Sequence, residues 1–235
     1  MSVLCTCTSQ LQIVLRWLAG MALVFWRYLW ETTPLHRTEE VGDGSDLPPE
    51  LPEELVDDRS QLLANGVGPV FHRRFSVRIT DSALTAPELV DAIAADMNRA
   101  VPREVTKVRT AKGPGDRTQV GDEVVVHMPG PWDAPVRVVA RMDDSFRLAT
   151  LRGHLESGLI EFRTRSEGSG LVFEIEAWAR ASTPLLNVLY GKLRVAKEMQ
   201  FNMWVRCCLA AAALARGRPQ NGVTIRTRRH FAPRL

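Results

Sequence analysis

Arg152, His154 and Glu156 are the residues whose types and spacing suggest chemistry. They alternate at the end of a predicted strand, so their side chains would share one face if the strand persists that far. An imidazole and a carboxyl group on one face can act as general base and general acid. The same three side chains can instead pin a hairpin through hydrogen bonds and an ion pair, and this structural interpretation is the preferred one.

Apolar and aromatic residues of the neighbouring strands would line a hydrophobic pocket, with Arg152 and His154 at its mouth. Trp132 lies in the loop Gly-Pro-Trp-Asp-Ala-Pro, where it either closes that pocket or covers the rim of the core. Phe146 shares its strand parity with His154. The complete set of predicted ligand-binding residues is Arg152, His154, Glu156, Trp132, Phe146, Val126, Val138, Phe162 and Phe173.

The motifs of several enzyme classes are missing from the 235 residues. The sequence has no Gly-x-Gly-x-x-Gly, no Gly-x-x-x-x-Gly-Lys, no Gly-x-Ser-x-Gly and no His-Glu-x-x-His. Cysteines occur as two tight pairs, Cys5/Cys7 and Cys207/Cys208, without the spacing of a zinc site. We therefore expect no catalytic residue set of these classes, no metal, no cofactor and a reducing cytoplasmic compartment.

Short strands separated by turns must position the candidate residues. Alternating apolar and polar residues predict a strand from Phe71 to Ile79, and turns about every ten residues then predict an antiparallel meander. The meander strands are predicted over Val105–Lys112, Glu123–Met128, Val136–Met142, Phe146–His154, Ile160–Arg165 and Leu171–Ala179.

Two helices complete the predicted domain. Thr85-Ala-Pro-Glu88 has the spacing of a capping box, with proline in the first turn. A long helix from Leu185 to Arg216 contains no proline and ends at Gly217. One strand, a helical insert, a meander and a long C-terminal helix describe an α+β helix-grip fold, in which a curved antiparallel sheet wraps on that helix.

The most apolar stretch is Gln10–Trp30, which is interrupted by Arg16 and Arg27. The two arginines lie eleven residues apart, so on a helix they fall on one face. Three interpretations stay open: a helix lying in the membrane interface, a helix docked on its own domain or on a second copy, and a single membrane span. Trp17 and Trp26 have side chains of the kind that is enriched at membrane interfaces.

Charge is distributed unevenly around a net charge of +3. Residues 38–58 contain nine acidic side chains and no basic one, which predicts an extended, exposed spacer. The arginine-rich C-terminus is predicted to be a solvated tail without the aromatic row that would bind nucleic acid. The predicted organisation is an apolar helix (1–37), an acidic linker (38–65), a helix-grip domain (66–217) and a basic tail (218–235).

Four segments carry a resemblance to a known family. The segment Thr150–Phe162, with its Gly-His-x-Glu-x-Gly core, resembles the signature of the bacterial and plant family called domain of unknown function 1990. Val120–Glu123 and Gly130–Val136 are similar to the segments before that signature, and Glu198–Trp204 is similar to its terminal helix. The resemblance covers about residues 66–216.

This family is grouped with START-like and pollen-allergen-like helix-grip proteins. The resemblance implies the fold and a pocket between sheet and helix that holds apolar ligands, while a minority of such proteins are cyclases or hydratases. It implies no assigned catalytic residue.

Three functional hypotheses remain open from the sequence. The first is a non-catalytic binder of an apolar small molecule or lipid, held at the membrane surface through residues 10–30, with no nucleic-acid partner. The second is an enzyme that uses His154 and Glu156 on a small apolar substrate. The third is a partner-binding scaffold whose core is completely filled.

Overall fold

The computed structural model describes residues 33–101, 107–110, 118–127, 133–187 and 194–230. Within them, one sheet of nine strands faces two helices. The strands are β1 (Leu35–Val41), β2 (Val67–Thr80), β3 (Lys107–Thr110), β4 (Glu123–His127), β5 (Asp133–Arg141), β6 (Ser145–Thr150), β7 (Glu156–Glu167), β8 (Gly170–Ala181) and β9 (Arg218–His230). The helices are α1 (Ala86–Ala95) and α2 (Arg194–Leu214).

The strand order is β1-β9-β2-β8-β7-β6-β5-β4-β3. From β3 to β8 each strand pairs antiparallel with its neighbour in sequence, which confirms the predicted antiparallel meander. The strand β2 then closes onto β8, with Phe75 opposite Ile175. The exception to antiparallel pairing is β1, which runs parallel to β9.

Both predicted helices are present over the described residues. The side chain of Thr85 accepts a hydrogen bond from the backbone N–H of Glu88, and Glu88 reciprocates, so the capping box of α1 forms as predicted. The long helix is described from Arg194 to Leu214, and residues 184–187 are also helical. The predicted first part of this helix at residues 188–193 lies outside the described residues.

The main core lies between the concave face of the sheet and the two helices. Odd-numbered residues of β2 and β8 point to this face, and Phe75, Phe173 and Ile175 retain no accessible surface. Small side chains on α2, among them Ala211 and Ala212, are fully buried against them. These small residues allow the helix backbone to approach the sheet closely.

Residues 38–65 are mostly exposed, as predicted, but they are not a detached spacer, because they pair with and pack on the sheet. We call residues 43–65 the strap, because this segment packs on the convex face of the sheet. Its leucines, Leu51, Leu55 and Leu63, cover an apolar cluster on the sheet that includes Leu159 and Trp178. Apolar side chains spaced among the acidic residues therefore attach the strap to the sheet.

Charged groups fix the strap at further points. The carboxylate of Asp57 accepts a hydrogen bond of 2.8 Å from Arg137, and Arg59 pairs with Glu123 at 2.9 Å. The Arg137 guanidinium holds the pKa of Asp57 at about 2. Asp57 and Arg59 of the strap thus each pair with a side chain of opposite charge on the outer face of the sheet.

The basic tail is also not a solvated extension over its described part. Residues 218–230 form β9, which is inserted between β1 and β2. Val223 and Ile225 point into the core and are essentially inaccessible to solvent. The alternating pattern that predicts a strand is difficult to recognise in β9. Arginines occupy its ends and its outer face, while buried residues occupy alternate positions.

Candidate functional site

A row of side chains crosses the concave face near the start of α2. The cross-strand register places Arg73 opposite Ala177, Ala177 opposite Ile160, and Ile160 opposite Leu148. Ile160 and Ala177 keep accessible surface although they lie in the middle of a nine-stranded sheet. The neighbouring row, which contains Phe75 and Ile175, is completely covered. The contact between sheet and helix is therefore tight on one side and open on the other.

Three polar side chains meet beside this row. The amide nitrogen of Gln200 on α2 donates to both carboxyl oxygens of Glu156, at 3.1 and 3.0 Å. The amide oxygen of Gln200 accepts from Nη1 of Arg73 at 2.5 Å. Burial raises the pKa of Glu156, while the charge of Arg73 and the Gln200 hydrogen bond oppose that shift. We call Arg73, Glu156 and Gln200 the interior polar cluster.

Arg73 is held in place by aromatic rings as well as by Gln200. Its guanidinium carbon lies 4.7 Å from the ring centroid of Phe71 and 5.4 Å from that of Phe201. The residue is 5% exposed. Cation–π contacts of this kind are strongest where water is excluded, so the guanidinium is positioned rigidly beside the open row.

His154 does not form an acid–base pair with the Glu156 carboxyl group. Its Nδ1 lies 2.9 Å from the backbone nitrogen and 3.0 Å from the backbone oxygen of Glu156, so the ring contacts the main chain of that residue and not its carboxyl group. Burial lowers the pKa of His154 to about 4. At neutral pH the imidazole is therefore neutral, and its ring pins the turn before β7, as the structural interpretation of this motif predicted for the histidine.

Gly158 and Thr150 shape the same end of β7. A Cβ atom at Gly158 would lie 1.9 Å from the carbonyl oxygen of Trp178 on the neighbouring strand. The backbone N–H of Gly158 donates to the hydroxyl of Thr150 at 2.9 Å, and that hydroxyl donates to the strap carbonyl of Gln61 at 2.6 Å. The signature residues thus join the meander, the strap and the interior polar cluster.

The structure brings together only part of the predicted binding set. Arg152 is exposed in the turn and is not part of the interior polar cluster. Trp132 lies outside the described residues. The five apolar members face the concave side: Phe146, Val138, Phe162 and Phe173 are buried in the core, and Val126 is half-buried against it. Their role as ligand contacts stays a prediction.

Sequence reasoning did not select Arg73 or Gln200 as site residues. A signal for Arg73 was present, because it shares strand parity with Phe71 and Phe75, and a charged residue on an apolar face is unusual. Gln200 lies in the segment Glu198–Trp204 that carries the family resemblance. Its contact with Glu156 depends on how α2 crosses the sheet, which the sequence pattern does not specify.

A second buried polar cluster lies on the convex face under the strap. His72 places Nδ1 2.8 Å from Asp46 and Nε2 2.7 Å from Glu176, and its ring stacks on Trp178 with centroids 5.2 Å apart. Glu161 lies on the same face, is 4% exposed and bonds to Arg147 at 2.6 Å. Strap residues such as Leu47 and Pro48 lie beside these carboxylates on the convex face.

An open cleft of about 390 Å³ borders this second cluster. The strap contributes Leu47, Pro48 and Pro49 to its wall, and the sheet contributes charged side chains that are already paired with each other, such as Arg74 with Glu176 at 2.6 Å. Because its charges are matched internally, the cleft favours no particular ligand charge, and we assign it a structural role.

Metal-binding clusters and membrane-spanning helices are both absent from the described residues. No group of three or more histidine, cysteine, aspartate or glutamate side chains is arranged there to hold a metal ion. Within the same ranges, no helix combines the length and the apolar character needed to cross a bilayer.

Comparisons with known proteins confirm the family resemblance. Residues 99–210 match the model of the family described as Domain of unknown function (DUF1990). No curated protein matches the chain.

Several solved structures resemble this chain in the path of their backbone but have low sequence identity to it. The KanY protein is 9% identical, with 64% of this chain and 100% of that chain covered and a TM-score of 0.49. The di-domain aromatase/cyclase StfQ of the steffimycin pathway is 12% identical. The similarity covers 63% of this chain and 51% of StfQ, with a TM-score of 0.48. Norcoclaurine synthase from Thalictrum flavum is 13% identical. The similarity covers 71% of this chain and 98% of the synthase, with a TM-score of 0.45.

Proposed function

We propose that this chain, which carries a DUF1990 domain, binds an apolar small molecule or lipid between the concave face of its sheet and α2. The observation that carries the proposal is the accessible surface of Ile160 and Ala177 in the middle of the sheet. Apolar side chains that stay accessible inside a fold are typical of a ligand site, whereas a filled core would cover them.

The interior polar cluster supports a ligand with one hydrogen-bonding end group. Glu156 can accept from a hydroxyl or amine of the ligand, and Arg73 supplies donors beside it. Both groups lie within an otherwise apolar environment, where hydrogen bonds are strong and unpaired polar groups are unfavourable. The ligand we propose therefore has an apolar body and a single polar end.

Native mass spectrometry of the full chain, followed by organic extraction, tests this proposal. We expect a stoichiometric apolar adduct on the wild-type protein and its loss or at least tenfold weakening in Glu156→Leu, because tenfold corresponds to about 1.4 kcal/mol, within the range of one hydrogen bond to a charged group. The matched control is Glu174→Leu, a half-buried glutamate on the convex face. A protein that folds, carries no adduct and binds no apolar fluorescent probe would instead support the filled-core scaffold.

We also propose that the protein is cytoplasmic and that residues 10–30 hold it at a membrane surface. The support is the sequence pattern alone, namely one polar stripe with Arg16 and Arg27 on an apolar helix rich in tryptophan. Flotation of the full chain with anionic vesicles tests it. We expect Trp17→Ala/Trp26→Ala to reduce the vesicle-bound fraction severalfold, and equal binding by both proteins would contradict the tether.

A further inference from the structure

One corner of the sheet is exposed and basic on its convex face. Arg226 of β9 lies opposite Arg74 of β2 and opposite Thr38 of β1, and all three residues are exposed. Like charges directly opposite one another in a sheet are destabilising. Arg74 pairs with Glu176 at 2.6 Å, whereas Arg226 has no ion-pair partner within the described part of the chain. A bound anion would relieve the repulsion between the two guanidinium groups.

Two further residues extend this basic surface along β9. Thr224 lies two residues before Arg226 on the same face, and Arg218 is exposed at the start of the strand, opposite Thr80. Arg218 likewise forms no ion pair with any described residue. The strap carboxylates of Asp43 and Asp46 pair instead with Arg228, further along β9. We call Thr38, Arg74, Arg218, Thr224 and Arg226 the basic corner.

The chain enters the sheet beside the basic corner. The carbonyl of Pro34 accepts a hydrogen bond of 3.0 Å from the N–H of Val223, which lies between Arg218 and Arg226 on β9. A side chain at Gly222 would clash with the same carbonyl, so glycine permits this close approach. Because Trp30 precedes Pro34 by four residues, the chain between them spans at most about 14 Å. Residues 10–30 therefore end close to the basic corner.

We infer that the basic corner docks on the anionic headgroups of a membrane surface and so sets the orientation of the domain. The inference rests on the membrane tether proposed for residues 10–30. Guanidinium and hydroxyl groups are donors for the phosphate and carboxylate oxygens of anionic lipids. The attraction of an anionic surface acts only within about 10 Å in dilute salt, and the short connection from the tether places the corner near that range.

Flotation of the full chain with two kinds of vesicle tests the docking. One kind contains phosphatidylcholine alone, and the other also contains about 30% phosphatidylserine. We expect Arg218→Glu/Arg226→Glu to weaken binding to the anionic vesicles at least roughly tenfold and to leave binding to the neutral vesicles unchanged. Arg226→Glu places a carboxylate opposite Arg74, so the variant should unfold at the temperature of the wild-type protein.

The matched control is Lys107→Glu/Arg109→Glu. Both residues are exposed on β3, at the opposite edge of the sheet, and the control makes the same change in net charge. We expect it to keep most of the binding to anionic vesicles. Equal binding by the control and by Arg218→Glu/Arg226→Glu would overturn the inference, because net charge rather than the basic corner would then determine binding.

The tether is tested separately in the same assay. Trp17→Ala/Trp26→Ala should weaken binding to both kinds of vesicle, since it removes side chains that enter the bilayer interface. If that variant binds like the wild type while Arg218→Glu/Arg226→Glu is still weakened on anionic vesicles alone, the tether is wrong and the docking surface stands. A wild-type protein that floats with neither kind of vesicle would contradict both.

A fluorescent label measures the orientation directly. In a full chain carrying Cys5→Ser and Cys7→Ser, the remaining cysteines are buried, so a label attaches to Thr38→Cys or to Arg109→Cys. We expect anionic vesicles to shift the emission of a polarity-sensitive label to the blue at position 38 and to leave it unchanged at position 109. Equal shifts at both positions, or none at position 38, would contradict docking through the basic corner.

Discussion

Nε2 of His72 lies 2.7 Å from Oε1 of Glu176, and Nδ1 of the same ring lies 2.8 Å from Asp46 of the strap. Both ring nitrogens face carboxylate oxygens, which only accept hydrogen bonds when ionised. The imidazole therefore satisfies both partners only as the protonated cation. The strap is held on the sheet by a histidine whose charge depends on pH.

Stability is expected to fall as pH rises above 6.5 and through the raised folded-state pKa of His72. Burial opposes the shift, but hydrogen bonds to Glu176 and Asp46 raise the pKa of His72 above its ordinary 6.5. A raised pKa contributes stability that is complete below pH 6.5 and is lost as pH rises through the folded-state value. The pKa values of Asp46 and Glu176 are lowered, so their contribution is lost only in acid.

Urea unfolding of wild type and His72→Gln at pH 6 and pH 9 measures this dependence. We expect the variant to lose about 3 kcal/mol at pH 6, where two buried carboxylates lose their partner, and much less at pH 9. Arg74 and Arg228 also contact these carboxylates and should retain part of the interaction. A constant difference between the two proteins at both pH values would show that His72 acts by packing rather than by charge.

Gly158→Ala should prevent folding or reduce the free energy of unfolding by more than about 4 kcal/mol. The added Cβ would meet the Trp178 carbonyl oxygen inside a paired strand, where neither backbone can move aside. Gly153→Ala is the control: its φ is +99°, but the nearest atom would be 3.9 Å away. We expect Gly153→Ala to reduce the free energy of unfolding by about 1–2 kcal/mol, which is the cost of a left-handed backbone without a clash. Thermal unfolding of both variants distinguishes contact from backbone strain.

A fragment that begins at residue 66 should be markedly less stable than the full chain. It lacks β1 and the strap, so Trp178, which is 4% exposed in the intact protein, would reach solvent. Burial of a tryptophan contributes about 4 kcal/mol. Urea unfolding of both proteins, with tryptophan emission as a second readout, measures this contribution. Equal midpoints would show that the strap only rests on the sheet.

Cys207 and Cys208 should be unreactive in the native state. Both are fully buried on α2, and burial raises the pKa of Cys207 to about 12. With Cys5→Ser and Cys7→Ser in the background, a thiol reagent at pH 8 should modify neither residue until urea unfolds the protein. Rapid labelling without urea would indicate that α2 detaches from the sheet.

Local patterns predicted the elements that are governed by local chemistry. The strand β2 follows from its alternation, α1 from the Thr85–Glu88 capping box, and the meander from its turns. In the candidate site, residue type and alternate spacing selected His154 and Glu156, and the side chain of Glu156 does reach the interior. The patterns that predict β2, α1 and the meander each lie within a short segment of the sequence.

Features that depend on distant contacts were not predicted. The sequence predicts Asp46 to be part of an acidic spacer. In the structure it is paired with His72 and Arg228, which lie far from it in the sequence. Ile225 reads as an isolated apolar residue among arginines, although it fills the core beside Phe75. The contact between Arg73 and Gln200 spans 127 positions, so no sequence window contains it. A charged segment is exposed or paired according to what folds against it.

The position of β9 between β1 and β2 constrains when the protein can fold during synthesis. His36 of β1 meets Asn221, 185 residues later, so among the described strands β1 has no partner until β9 has been synthesised. The meander and α1 can form earlier from nearby segments, whereas pairing over such a sequence separation is slow. β9 therefore inserts between β1 and β2 only after the strands of the meander have been synthesised.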